Sequence, residues 1–176
     1  MYQASFQVLL IVIPMITIPI VSRALKPEGV GIYNFTFSIV SYFVLIAGLG
    51  LATYGVREIA IVRDDKLKLS EKFWELALFN ISFSLIAIIA YLTVIYFSPE
   101  RFRWYLFAQG FTLLASVVDI TWFFSGIEDF KKITIRNFII KIITFSLIVL
   151  FIHTEKDLLL YIFIQSIGNL IGQLSL

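Results

Sequence analysis

Residues 73–97 read Phe73-Trp74-Glu75-Leu76-Ala77-Leu78-Phe79-Asn80-Ile81-Ser82-Phe83-Ser84-Leu85-Ile86-Ala87-Ile88-Ile89-Ala90-Tyr91-Leu92-Thr93-Val94-Ile95-Tyr96-Phe97. A run of roughly 20 apolar residues is what a helix needs to cross the hydrocarbon layer of a bilayer. Backbone amides cannot stay unpaired in lipid, so the run must be a helix or part of a closed barrel. Barrel strands alternate polar and apolar over about 10 residues. This run is longer and apolar all round, which selects the helix.

The pattern recurs outward from it. Comparable runs cover 4–21, 31–52, 104–125, 135–152 and 158–176, six spans in all. The predicted fold class is an all-α polytopic membrane bundle, a single lobe over residues 1–176. The chain is 60% hydrophobic and only 15% charged, with a mean hydropathy of +0.94. Soluble domains average about 25% charged. Charges gather between the runs: the Arg23–Gly29 segment, read as a tight turn with Pro27; the long stretch 55–72; 98–103; 126–137; and 153–157. In the long stretch Asp64 and Lys68 have i,i+4 spacing, and Ile59, Val62 and Leu69 are placed to lie on a membrane surface if it is helical.

Several classes drop out. With no cysteine there is no disulfide, thiolate metal site or Cys nucleophile. One histidine, His153, makes no His-rich metal site, and a net charge of +2 is too small to argue for nucleic acid. No metal or cofactor is expected. The start of the chain has no basic n-region ahead of its apolar run, so a cleavable signal is not expected. Basic residues in connections set orientation. One side holds Arg57, Arg63, Lys66, Lys68, Lys72, Lys131, Lys132 and Arg136; the other holds Arg23, Lys26, Arg101, Arg103 and Lys156. The larger set is expected in the cytoplasm, with both termini.

Polar groups within spans are the candidates for function, because lipid disfavours them. Gln109, Thr112, Ser116 and Asp119 share one face of the fourth span. They read either as a cavity wall or as interhelical hydrogen bonding. Asp119 is the only acid deep in a span and Lys141 the only base. Each lies about seven residues from the connection between spans four and five, so roughly 10 Å deep. They are expected to pair, unless Lys141 snorkels to the interface. Arg23 is placed to bind an anion such as phosphate, or to anchor at the interface. Asn34, Ser38 and Ser41, with Gly48 and Ala52, form a polar, small-residue face on the second span. Gly168 and Gly172 form a G-x-x-x-G pair beside Gln165 and Asn169; packing is expected for both sets. Tyr96, Trp104, Tyr105 and Trp122 fit an aromatic belt. Pro14 and Pro19 are expected to bend the first span.

Three segments carry a resemblance. They are Ile18-Pro19-Ile20-Val21-Ser22-Arg23-Ala24-Leu25-Lys26-Pro27-Glu28-Gly29-Val30-Gly31-Ile32-Tyr33, then Tyr54-Gly55-Val56-Arg57-Glu58-Ile59-Ala60, then Trp122-Phe123-Phe124-Ser125-Gly126-Ile127-Glu128-Asp129-Phe130-Lys131-Lys132-Ile133-Thr134-Ile135-Arg136-Asn137. The sequence resembles the N-terminal lobe of bacterial oligosaccharide-lipid flippases, the polysaccharide biosynthesis proteins of the multidrug/oligosaccharidyl-lipid/polysaccharide exporter superfamily. That resemblance implies a carrier in the bacterial inner membrane. It would move undecaprenyl-diphosphate-linked sugar units for O-antigen, capsule or exopolysaccharide assembly. It further implies a second, C-terminal lobe, a central cavity, and polysaccharide polymerase machinery as a partner. Arg23 would then meet the diphosphate, and Asp119 would carry a proton or hold the cavity network. The alternatives are a drug exporter of the same superfamily and a non-transporting scaffold. An intramembrane enzyme would need clustered acids or a His–acid pair, and only Asp119 lies deep.

Overall fold

A computed structural model describes residues 2–48 and 50–176, with side chains from Ile13 onward. Among these residues the protein is helical nearly throughout and has no strands, an all-α polytopic bundle. The elements are α1 (Tyr2–Gly48), α2 (Leu51–Val62), α3 (Lys66–Phe97), α4 (Glu100–Val117), α5 (Thr121–Gly126), α6 (Phe130–Phe151), a 3₁₀ turn (Glu155–Asp157) and α7 (Leu158–Leu174). Four stretches among the described residues are long and apolar enough to cross a membrane: Ile13–Val62, Lys66–Phe97, Phe130–Phe151 and Glu155–Leu174.

The first of these contains two passes. α1 is broken at Lys26, whose φ of 57° and ψ of 172° leave the helical region. A positive φ is rare for a residue with a Cβ, and the extended ψ is what a following proline demands. Pro27 then starts the second arm, where its missing N–H costs no hydrogen bond. The expected tight turn at 23–29 is therefore a one-residue break, with Leu25 fully buried beneath it.

The fourth span, expected to be one helix over 104–125, is discontinuous. α4 stops at Val117 and α5 begins at Thr121. The orphaned ends are satisfied locally. The Asn80 side-chain amide of α3 donates to the Ser116 and Val117 carbonyls at 3.0 and 3.2 Å. The Thr121 N–H donates to the Asp119 carboxylate at 2.8 Å, and the Trp122 indole N–H to the Asp119 carbonyl at 2.9 Å. Irregular backbone at membrane depth survives only where protein or water completes its hydrogen bonds.

The long connection after the second span is mostly helix. Asp65 caps α3 by accepting from Leu67 and Lys68 N–H groups, and it pairs with Lys68 at 3.3 Å; this i,i+3 pair takes the place expected for Asp64 and Lys68. Ile59 and Leu69 do not lie on a membrane surface. They face the bundle, Ile59 fully buried with Leu51, Leu76 and Trp122, and Leu69 packed against that cluster. Trp122 is thus a core residue, whereas Tyr96 and Trp104 are exposed as a belt requires. α2 and α5 approach closely through glycine: a Cβ on Gly126 would stand 2.6 Å from Ile59, and one on Gly55 3.2 Å from Trp122.

Ion pairs sort the connections into two ends. Arg63 meets Glu128 at one end, at 2.7 Å. At the other, Lys26 pairs with Glu155 and Arg101 with Glu28.

Candidate functional site

α4 packs most extensively against α7, and α7 also packs against α6. Between these three helices lies a polar cavity of about 420 Å³. Small-molecule sites commonly span about 300–1,000 Å³. From α4 come Thr112 and Ser116, with Asp119 in the break beyond its end. From α6 come Arg136, Asn137, Lys141 and Thr144; from α7 come Gln165, Asn169 and Gln173.

The α7 contribution has a simple origin. Tyr161, Gln165, Asn169 and Gln173 recur every fourth residue and so stand one above another on the same helical face. The Gln165 amide donates to the Tyr161 hydroxyl at 3.2 Å. Gly168 and Gly172 lie on the α6 side. A Cβ on Gly168 would sit 2.5 Å from the Thr144 methyl, so glycine there sets how near α6 can come. Packing, the expected role of the G-x-x-x-G pair, is what it does.

One end of the cavity is cross-braced by hydrogen bonds. Arg136 donates through Nη1 to the Gly172 carbonyl at 3.2 Å and to Gln173 Oε1 at 2.7 Å, and through Nη2 to Asn137 Oδ1 at 2.8 Å. Gln173 Oε1 also accepts from the Thr121 hydroxyl at 3.4 Å. The start of α5, the first turns of α6 and the end of α7 therefore meet at Gln173. The Asp119 carboxylate lies near enough to act on Arg136 through its charge.

The predicted site residues divide. Thr112, Ser116, Asp119 and Lys141 come together in the cavity. The expected Asp119–Lys141 ion pair is not formed: among the described residues neither makes an ion pair within 4.0 Å. Asp119 instead spends its carboxylate on the α5 N-terminus. Gln109 shares their helix but is 2% exposed, does not line the cavity, and its amide nitrogen has no partner. Asn34 is exposed on the second arm of α1 and does not line the cavity. Arg23 is exposed at the opposite end, on the stretch where Val21 and Leu25 pack against Leu158 and Tyr161. Arg136, Asn137 and Gln173 were not predicted. Arg136 and Asn137 read as loop residues because the charges before them run into the span without a gap. The four-residue spacing along α7 was the available signal for Gln173.

The chain matches the polysaccharide biosynthesis protein family over residues 1–176. It is 26% identical over 162 residues to a protein of Escherichia coli (strain K12) described as "Putative O-antigen transporter", covering 91% of this chain and 39% of that protein. The chain thus spans about two fifths of that curated relative's length. No solved structure gives a significant match. A multi-pass helical bundle around a polar cavity accords with the match over the whole chain, and the protein belongs to the polysaccharide biosynthesis protein family.

Proposed function

We propose that this chain is the cavity-bearing lobe of a flippase that moves polyprenyl-diphosphate-linked oligosaccharides across the bacterial inner membrane, for O-antigen, capsule or exopolysaccharide assembly. One observation carries the reading: a polar cavity rich in amides and hydroxyls inside a bundle whose outer faces are apolar. Sugar hydroxyls both donate and accept, and amide side chains answer both. The polar head can be shielded there while the lipid tail stays in the bilayer. Arg136 and Lys141 outweigh Asp119, so the lining is net cationic. That favours an anionic ligand over the organic cations a drug exporter would take.

The reading places residues 62–65 and 127–129 in the cytoplasm with both termini, and residues 98–101 outside. Arg136 leaves the connection for the cavity, so the basic bias narrows to seven against five. Reporter fusions after Asp65 and Lys131 should read cytoplasmic and one after Arg101 external; the inverse pattern would reverse the orientation. The functional test uses the full-length protein in cells deprived of their own flippase but still making lipid-linked repeat units. Restored surface polysaccharide supports the proposal. Failure to restore it in cells making the cognate unit, with the protein correctly inserted, sinks it.

A further inference from the structure

Four amide side chains line the chamber between α4, α6 and α7: Asn137, Gln165, Asn169 and Gln173. An amide offers N–H donors at one end and a carbonyl acceptor at the other, and it can turn to present either. In three of the four, contacts within the protein settle the choice. A guanidinium only donates, so an amide that meets Arg136 must give it the oxygen. Arg136 donates through Nη1 to Gln173 Oε1 at 2.7 Å, and through Nε and Nη2 to Asn137 Oδ1 at 3.1 and 2.8 Å. The Thr121 hydroxyl adds a second donor to Gln173 Oε1. The amide nitrogens of Asn137 and Gln173 are left over, and neither has an acceptor among the described residues. Gln165 is turned the other way. Its nitrogen donates to the Tyr161 hydroxyl at 3.2 Å, which leaves its oxygen free. The α7 ladder therefore carries a donor at Gln173 and an acceptor at Gln165, about 12 Å apart along the helix.

Arg136 has all three of its nitrogens engaged within the protein, so its effect on a ligand passes through the two amides it holds. Both flank the same guanidinium. Two neighbouring N–H donors match the two lone pairs of one carbonyl oxygen. A sugar hydroxyl would meet the same donors with a hydrogen of its own still to place. Asp119 acts on Arg136 through its charge, so this end of the chamber favours a neutral acceptor over a carboxylate. Ile140 stands beside it, 3.7 Å from where a Cβ on Gly172 would lie, and offers an apolar surface to an acyl methyl group. We propose that Arg136 is a positioning residue that holds Asn137 and Gln173 as N–H donors, and that the site they make takes the carbonyl oxygen of an acylamino sugar. This rests on the transport reading above and adds to it a class of sugar.

The test is direct binding to the full-length protein purified in detergent. The probes are undecaprenyl diphosphate carrying one N-acetylglucosamine, one glucose or one glucuronic acid, so the lipid and the diphosphate are common to all three. The acetamido lipid should bind about tenfold more tightly than the glucose lipid, the worth of two ordinary hydrogen bonds. Gln173→Glu and Asn137→Asp each keep an oxygen for Arg136 and replace the free nitrogen with a second oxygen. Melting temperatures should therefore hold, while the preference falls to about twofold or less. Arg136→Gln frees both amides to turn and should bring the two affinities together. Arg136→Lys keeps the charge without the fork and should recover only part of the preference. Equal binding of the acetamido and glucose lipids by the wild type overturns the proposal, and so does tighter binding of the glucuronic acid lipid. A preference that survives both acidic variants removes the donors from the explanation. Arg136→Gln weakening all three lipids alike would leave Arg136 a structural brace and overturn its positioning role; should that variant fail to fold, the acidic variants decide. A clear preference in a protein that restores no surface polysaccharide would count against the transport reading alone. Restored export with no preference would count against this site alone.

Discussion

Two polar stripes run along membrane helices of this protein, and the fold treats them differently. On α4, Thr112 and Ser116 lead down to Asp119 and look into a chamber shared with α6 and α7. On the second arm of α1, Asn34 and Ser38 are exposed and Ser41 is half-buried. The two serines there donate to the Asn34 and Phe37 carbonyls of their own helix, at 2.8 and 2.7 Å. A hydroxyl satisfied in this way needs no neighbour, so a serine face does not by itself specify a contact. A long amide at a helix end reaches further than a hydroxyl does. It draws in other helices, as Gln173 does with Thr121 and Arg136, whereas the Asp119 carboxylate closes on the N–H two residues further along.

The sharpest way to break the contrast uses glycine. Gly168→Leu drives a side chain into Thr144, where a Cβ already finds 2.5 Å, and separates α6 from α7. Overpacking of this kind costs about 1–3 kcal/mol or more, and a large fall in melting temperature and in monodisperse yield should follow. Gly48→Leu lies on the α1 stripe, where a Cβ meets nothing within 4 Å, and should be tolerated. Equal damage by both would show that the α1 face is also packed.

A smaller loss is expected from Asn80→Leu, which strips the partners from two carbonyls at the α4 break. Leaving buried acceptors unpaired costs about 1–3 kcal/mol. Ser38→Ala, removing a hydroxyl bound only to its own helix, should stay within about 0.5 kcal/mol. Thermal melting in one detergent compares the two, and a silent Asn80→Leu would mean that water completes the break.

The natural absence of cysteine permits a third comparison. Asn169→Cys should react with a membrane-impermeant thiol reagent, because Asn169 lines the chamber and is exposed within it. Leu150→Cys, on the 66% exposed outer face of α6, should not react. Ser38→Cys then decides whether the α1 stripe looks onto water or lipid.

The smallest effect lies outside the membrane. Hydrogen bonds from the Lys68 N–H and side chain, and from the Leu67 N–H, hold the Asp65 carboxyl below its usual range. Because its folded value is depressed, the stabilisation is complete above the unfolded value of about 3.9. It fades as pH falls through the lowered folded value. The melting difference between wild type and Asp65→Ala should therefore be steady near neutrality and shrink below about pH 4. A difference that does not change with pH would remove the charge from the explanation.

The helical passes were legible because about 20 apolar residues in lipid admit almost one solution. The break at Val118–Ile120 was not, since no proline or glycine marks it and Asp119 continues the polar stripe of the span; it depends on Asn80, thirty-six residues before Ser116. The α4 half of the chamber could be read from periodicity, including Asp119. The Asp119–Lys141 pair failed although both line the chamber, because the break turns the Asp119 carboxylate onto the Thr121 N–H. Arg136 was hidden by its place in a charged segment, where only coordinates reveal a guanidinium folded onto the end of α7.

The broken fourth span also bears on how the protein is made. α4 is not among the stretches apolar enough to cross a membrane unaided, and its most extensive partner, α7, is synthesised after it. During translation its polar face must wait in or beside the insertion machinery until residues 158–174 emerge. A ribosome halted before Leu158 should therefore leave α4 poorly integrated while α3 is already secure. The chamber that suits a polar ligand makes α4 depend on a helix made later, α7, for entry into the membrane.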